Sequence, residues 1–140
     1  ARRNSGRILQ VRFLLDTHAF LWWVTAEGKI PPRTAQIIGD AANEIHVSVA
    51  TGWEIAIKKK LRRLEIPDDL SGFMTSQIAR NGFRVLPITM DHALGTFLLP
   101  DPPNHRAPFD RLLIAQAKVE NLTLISHDRA LEHYGVERVW

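Results

Sequence analysis

The chain is 140 residues long, 45% hydrophobic and 24% charged, the balance of an ordinary globular fold. A single packed domain is the expectation at that length, and wholesale disorder, collagen-like repetition and coiled coil are excluded. The formal net charge of +3 looks like a nucleic-acid signature, yet removing Arg2, Arg3 and Arg7 leaves 15 basic side chains against 15 acidic, so global charge says little about partners. Cysteine is absent, which removes disulfides, thiolate metal sites and thiol nucleophiles together and points to a reducing compartment, the cytoplasm. No apolar run approaches the roughly 18 to 20 residues that cross a bilayer, so neither a membrane span nor a signal peptide is expected. The chain opens at Ala1 without Met; residues 1–10 read as an N-terminal extension or a remnant of expression, and 11–140 as the domain.

In chain order, Val11–Leu15 reads as a strand ending at Asp16, followed by a helix over Thr17–Val24. Gly28–Pro32 is a loop, and Pro32–Ala42 has the composition of a helix entered through proline. Ile45–Val49 is a second strand. Thr51 then opens a helix to about Arg63, with Ile55, Ile57 and Leu61 apolar and Lys58, Lys59 and Lys60 solvated. Asp68–Arg80 is a further helix, stopped by Asn81-Gly82. Phe83–Ile88 is a third strand and Met90–Leu98 a short helix, before a break at Pro100, Pro102 and Pro103 that reads as the most mobile loop. The helix from Pro108 is apolar on nearly all sides and therefore buried. Leu122–Ser126 is a fourth strand, Asp128–Tyr134 a short helix, and Val136–Trp140 an added edge strand. Strands alternating with helices predict an α/β sandwich on a mainly parallel sheet.

The acids fall in a pattern. Asp16 and Asp128 follow the carboxyl ends of strands, and Glu54 and Asp110 lie in the first turns of helices. In open parallel sheets that rim is where ligands gather. Asp110 joins it only if the start of its helix faces the same crevice. Carboxylates held close together repel, and a divalent cation resolves the conflict. Oxygen ligands without His or Cys clusters favour Mg²⁺ or Mn²⁺, and the chemistry implied is phosphodiester hydrolysis. Each acid also has a structural explanation. Asp16 and Asp128 suit helix N-caps, Glu54 stands at capping-box spacing from Thr51, and Asp110 complements a helix dipole.

Four blocks, Leu14-Leu-Asp-Thr-His18, Trp53-Glu-Ile-Ala-Ile-Lys58, Pro108-Phe-Asp-Arg-Leu-Leu-Ile-Ala-Gln-Ala117 and Leu124-Ile-Ser-His-Asp128, together resemble the PIN-domain ribonucleases, especially the VapC-type toxins of toxin–antitoxin pairs. The similarity runs in order from about Leu14 to Trp140. It implies an α/β/α sandwich with a central, mainly parallel sheet of four to five strands, a homodimer, and inhibition by a cognate antitoxin. It also implies a Mg²⁺- or Mn²⁺-dependent endoribonuclease that hydrolyses RNA with metal-activated water, leaving 5′-phosphate and 3′-hydroxyl ends. Carried over by position, Asp16, Glu54, Asp110 and Asp128 are the metal-holding catalytic acids, and Ser126 orients the last of them or a metal-bound water. Relatives often carry Asp where this chain has Ala107. That position precedes a proline at the start of a helix, so its loss removes an N-cap worth about 1 kcal/mol, or an auxiliary metal ligand.

Lys58, Lys59, Lys60, Arg62 and Arg63 place five cations in six positions, either touching RNA backbone or solvating a helix end. Arg111 is the better candidate for a phosphate contact, its alternative being an ion pair with a neighbouring carboxylate; Lys58 is a second candidate. Apolar surface around Phe20–Trp23 is in part core and in part available to a dimer partner or antitoxin. None of the histidines pairs at the helical spacing of a zinc site, though His18 and His127 flank two of the acids. A haloacid-dehalogenase-type phosphatase needs a second Asp where His18 stands, and a response-regulator receiver needs adjacent acids that the first strand lacks. The remaining alternative is a catalytically weak PIN-like binding or scaffold module.

Overall fold

The computed structural model describes residues 11–101 and 108–140. Residues 1–10, Pro102, Pro103 and Ala107, on which some of the readings above fall, lie outside them. The strands are β1 (Arg12–Leu15), β2 (Glu44–Ser48), β3 (Arg84–Leu86), β4 (Thr123–Ile125) and β5 (Arg138–Val139). The helices are α1 (Thr17–Thr25), α2 (Pro32–Gly39), α3 (Val49–Lys60), α4 (Leu70–Arg80), α5 (Met90–Gly95) and α6 (Pro108–Glu120), with 3₁₀ turns over Thr96–Leu98 and Arg129–Tyr134.

The five strands are ordered β3-β2-β1-β4-β5, and every pairing is parallel. A parallel sheet must be covered on both faces, and alternation along β1 does this. Leu14 packs with Leu113, Ile114, Ala117 and Leu124 on the α6 face. Phe13 and Leu15 pack with Phe20, Ile38, Val47 and Ile55 on the other. Leu14 and Leu15 are wholly buried. Two helical layers on one sheet make the α/β/α sandwich expected from the sequence.

Several boundaries move, each for a local reason. α2 ends at Gly39, not Ala42, because the Asp40 carboxylate accepts the Ala42 N–H at 2.9 Å and starts a turn. α3 begins at Val49, so Val49 is not in the strand and Thr51 does not cap. Ser48 caps instead, its hydroxyl accepting the Ala50 N–H at 2.9 Å. Asp69 caps α4, accepting the Gly72 N–H at 3.0 Å. After α4, Gly82 takes φ +66°, the left-handed geometry that the Asn-Gly stop predicts. The single helix expected over Met90–Leu98 changes to 3₁₀ at Thr96, where Arg111 draws the Thr96 carbonyl into a 3.1 Å bond.

Order and direction together position the site. β1 pairs with β2 on one side and β4 on the other. The chain winds outward through β2 and β3, then returns to start the other half at β4. The strand order therefore reverses between β1 and β4, the point at which open parallel sheets hold ligands beyond their carboxyl ends. α6 feeds its C-terminus into the start of β4, which leaves the α6 N-terminus at that same carboxyl end.

Candidate active site

Asp16 follows the last residue of β1, and its backbone N–H still bonds Ile125 of β4 at 3.1 Å. Its carboxylate caps α1 by accepting the Ala19 N–H at 2.8 Å. The capping explanation is thus correct for Asp16, and equally for Asp128, which accepts the Ala130 N–H at 3.0 Å. Capping occupies only part of a carboxylate, which offers about four lone-pair directions.

The remaining partners of Asp16 converge on the crevice. Burial pushes its carboxyl above the ordinary value; the Ser126 hydroxyl, the Ala19 N–H and nearby His18 pull it back, and the charge of Glu54 pushes it up again. Ser126, wholly buried at the end of β4, also accepts the Asp128 N–H at 3.1 Å. One hydroxyl therefore joins the first acid to the backbone of the last. Sequence reasoning puts Ser126 beside Asp128; its hydroxyl bonds the backbone of Asp128 and also reaches the Asp16 carboxylate.

Glu54 is the sixth residue of α3. Its carboxylate accepts the Thr17 hydroxyl at 2.7 Å and pairs with Lys58 Nζ at 3.1 Å one turn on. Thr17 also contacts the Thr51 hydroxyl at 3.2 Å. The spacing of Thr51 to Glu54 thus reflects a buried hydroxyl ladder between α1 and α3, not a capping box. Thr17 is the residue that sequence reasoning missed; its signal is its place directly after Asp16, on the first turn of the helix facing α3.

Asp110 occupies the first turn of α6 and is half-buried. Its neighbour Phe109 meets Trp53, the neighbour of Glu54, edge-to-face at 5.0 Å between ring centroids. α3 and α6 are cross-braced where Ser48 Oγ donates to Gln116 Oε1 at 2.5 Å. The structure thus links Asp16 to Glu54 by charge and Asp16 to Asp128 through Ser126, and sets Asp110 beside the turn of α3 that carries Glu54. Among the described residues, no three His, Asp or Glu side chains gather tightly enough to hold a metal ion by themselves.

The donor set is nonetheless a hard-cation set. All the side chains are oxygen donors, and Asp16 bears a burial penalty that Glu54 aggravates, the conflict a divalent cation relieves. Mg²⁺ is typically held by one or two carboxylates, with water and phosphate oxygens filling the other positions. The Asp16 and Glu54 pair fits that requirement.

Two candidate cations have structural partners. Arg111, expected at a phosphate or carboxylate, donates to the carbonyls of Thr96 at 3.1 Å and Pro100 at 3.5 Å and lies over the Tyr134 ring. It ties the 3₁₀ turn to α6. In the basic run, Lys59 pairs with Asp68 at 3.0 Å and bonds the Ile66 carbonyl. Phe20 and Leu21 are core, and Trp22 and Trp23 are half-buried, while Met90, Leu94, Phe97 and Leu98 are exposed on α5 and the turn after it.

The family model of the PIN domain matches residues 13–137. The chain belongs to the PIN domain family. Ribonuclease VapC16 of Mycobacterium tuberculosis (strain ATCC 25618 / H37Rv) is 35% identical to this PIN domain over 61 residues, a match spanning 44% of this chain and 42% of that relative. VapBC2 from Rickettsia felis, solved bound to a DNA fragment from their promoter, superposes with a TM-score of 0.69 at 10% identity, covering 92% of this chain and 98% of that one. FitAcB from Neisseria gonorrhoeae superposes with a TM-score of 0.61 at 17% identity, covering 91% and 96%. At these identities the two structures speak for the fold alone.

Proposed function

We propose that this PIN domain is an endoribonuclease of the VapC type, dependent on Mg²⁺ or Mn²⁺ and the toxin half of a toxin–antitoxin pair. The observation that carries the reading is that Glu54 accepts a hydrogen bond from Thr17, the residue directly after Asp16 beyond β1, with the Asp16 carboxyl pushed up by burial and by the charge of Glu54. The family membership and the likeness to a protein named as a ribonuclease support it.

Asp16 and Glu54 are the acids that hold the cation, and Asp110 and Asp128 complete the negative rim. When bound, the cation neutralises phosphate charge and lowers the pKa of water for an in-line displacement. Ser126 holds the Asp16 carboxylate in place, and Thr17 does the same for Glu54. Lys58, already beside Glu54, is the cation nearest to the crevice for an RNA phosphate. An RNA substrate places this work in the cytoplasm; no described helix is long and apolar enough to cross a membrane.

The partners follow from the same reading. A cognate antitoxin is proposed from the likeness to VapBC2 and FitAcB. A homodimer is proposed from the exposed apolar face of Met90, Leu94, Phe97 and Leu98, of which Phe97 is 89% exposed; single scattered apolar residues are ordinary, a contiguous face is not. Incubating the purified chain with total RNA in Mg²⁺, Mn²⁺ or EDTA tests the central proposal. Metal-dependent cleavage that disappears in Asp16→Asn is expected. Cleavage that persists in Asp16→Asn, or none with either metal, refutes it and leaves the chain a binding or scaffold module.

A further inference from the structure

The acids have aromatic neighbours that the catalytic reading does not use, of which Trp140 also packs against the core beneath α1. On α1, His18 and Trp22 are one turn apart, with ring centroids 5.7 Å from each other. From the other half of the sheet, His127 approaches Trp22 at 6.1 Å, and Trp140 approaches Trp22 and His127 at 5.8 Å each. His18 lies two residues beyond Asp16 and His127 directly precedes Asp128, so the cluster sits on the lip of the crevice. Both histidines are exposed, and Trp22 and Trp140 are half-buried.

A groove of about 660 Å³ starts at the α1 side of this cluster, walled by His18, Leu21, Trp22, Lys58 and Arg63 among others, while His127 and Trp140 contact Trp22 from outside its wall. It lies one side chain from the acids, because Lys58 in its wall pairs with Glu54 at 3.1 Å. Its volume lies within the roughly 300 to 1,000 Å³ of small-ligand pockets, enough for a nucleotide. Its charges balance: Lys58 and Arg63 share the wall with Glu27 and Glu65. A groove that attracted RNA through phosphates alone would be dominated by cations. This one is lined by the His18 and Trp22 rings instead. Lys29 Nζ stands 5.3 Å over the Trp22 indole; it is an exposed cation that a stacked base displaces.

We infer that the His18–Trp22–His127–Trp140 cluster and its groove form a nucleobase-stacking subsite that receives one unpaired base of the RNA beside the acids. The inference rests on the ribonuclease reading above and narrows its substrate to single-stranded RNA, since a paired base has no free face to stack.

The test is binding, read by fluorescence anisotropy of a short, unstructured, labelled oligoribonucleotide against the Asp16→Asn chain. Asn is as good an N-cap as Asp, so α1 is kept. Replacing each nucleotide in turn by an abasic one should reveal one position whose base contributes roughly 5- to 100-fold to affinity. The same loss should follow Trp22→Ala in that background, where the abasic substitution then costs nothing more. Trp22→Phe should restore most of the affinity, and a blunt duplex should bind as weakly as the abasic strand. His127→Ala gives a second, exposed variant should Trp22→Ala not fold. A flat abasic scan with the parent chain, or full affinity in both alanine variants, overturns the inference and leaves the groove to a protein partner. No binding by the parent chain overturns it as well. Whether the catalytic reading falls with it is read separately, from Mg²⁺-dependent cleavage by the wild-type chain.

Discussion

Between α5 and α6, His92 accepts the Thr89 N–H on Nδ1 at 3.0 Å and meets Glu120 through Nε2 at 2.7 Å, so the ring proton sits on Nε2. Gln116 beside it accepts from Ser48 at 2.5 Å and reaches the Pro87 carbonyl at 3.3 Å. His92 and Gln116 are wholly buried, and each finds partners for its side chain. At the β1/β4 edge the opposite holds. Asp16 has a cap and a hydroxyl to bond, but its charge is penalised by burial and faces the charge of Glu54. Donor matched to acceptor marks the first region as structure, while a buried charge held against a like charge marks the second as a site prepared for a ligand. Both regions hold polar side chains away from water, so burial alone does not explain the contrast.

The largest expected effect comes from Asp16→Asn, which should move activity and stability in opposite directions. RNA cleavage should fall by about 100-fold or more. Metal-free stability should rise at neutral pH. A carboxyl whose folded pKa lies above its unfolded value binds its proton more tightly in the native state. The contribution of Asp16 to wild-type stability is therefore fullest below the ordinary value of 3.8 and declines as pH climbs through it toward the raised folded value. The stability gained by Asp16→Asn should accordingly shrink as pH is lowered, which thermal melts in EDTA across pH will read. A variant that loses stability at every pH would mean that the Asp16 charge is compensated in the native state and carries no burial penalty.

Gln116→Ala should do the reverse. It strands the Ser48 hydroxyl between α3 and α6, and an unsatisfied buried group costs about 1 to 3 kcal/mol. Urea unfolding should show that loss at all pH values, with cleavage per folded molecule lowered much less than by Asp16→Asn. If Gln116→Ala is neutral for stability, the two regions do not differ as described.

How much of this is legible in the sequence depends on range along the chain. In β1 the run Phe13-Leu14-Leu15 followed by Asp16 announces a strand buried on both faces that ends at a cap. The Asn81-Gly82 stop and the proline entries to α2 and α6 are equally local. The start of α3 is hidden because Val49 prolongs an apolar β-branched run, while the true boundary is fixed by Ser48, whose partner Gln116 is 68 residues away. The order of a parallel sheet is set by such distant pairings, so the β1/β4 reversal is invisible in the sequence. The Trp22 cluster depends on Trp140 at the far end of the chain. Arg111 next to Asp110 suggests a phosphate contact; only the folded chain brings the Thr96 carbonyl to it.

Two smaller effects sharpen the picture. Phe97→Asp places a charge in the exposed apolar face of α5 and its following turn, and light scattering should then report a monomer, against the dimer expected of the wild-type chain. An unchanged mass would remove that face from the interface. Lys58→Met deletes an i,i+4 pair with Glu54 at 3.1 Å and should cost at most about 0.5 kcal/mol, read by urea unfolding. A larger loss would make Lys58 part of the scaffold and not a side chain available to substrate.

The most direct measurement is titration of the purified chain with Mn²⁺, followed by electron paramagnetic resonance of the free ion, for the wild type and for Asp16→Asn and Glu54→Gln. Saturable binding by the wild type that either single substitution abolishes is the expected result of a cation held by both carboxylates. Equal Mn²⁺ uptake by all three chains, or none by the wild type, would contradict a shared cation between β1 and α3.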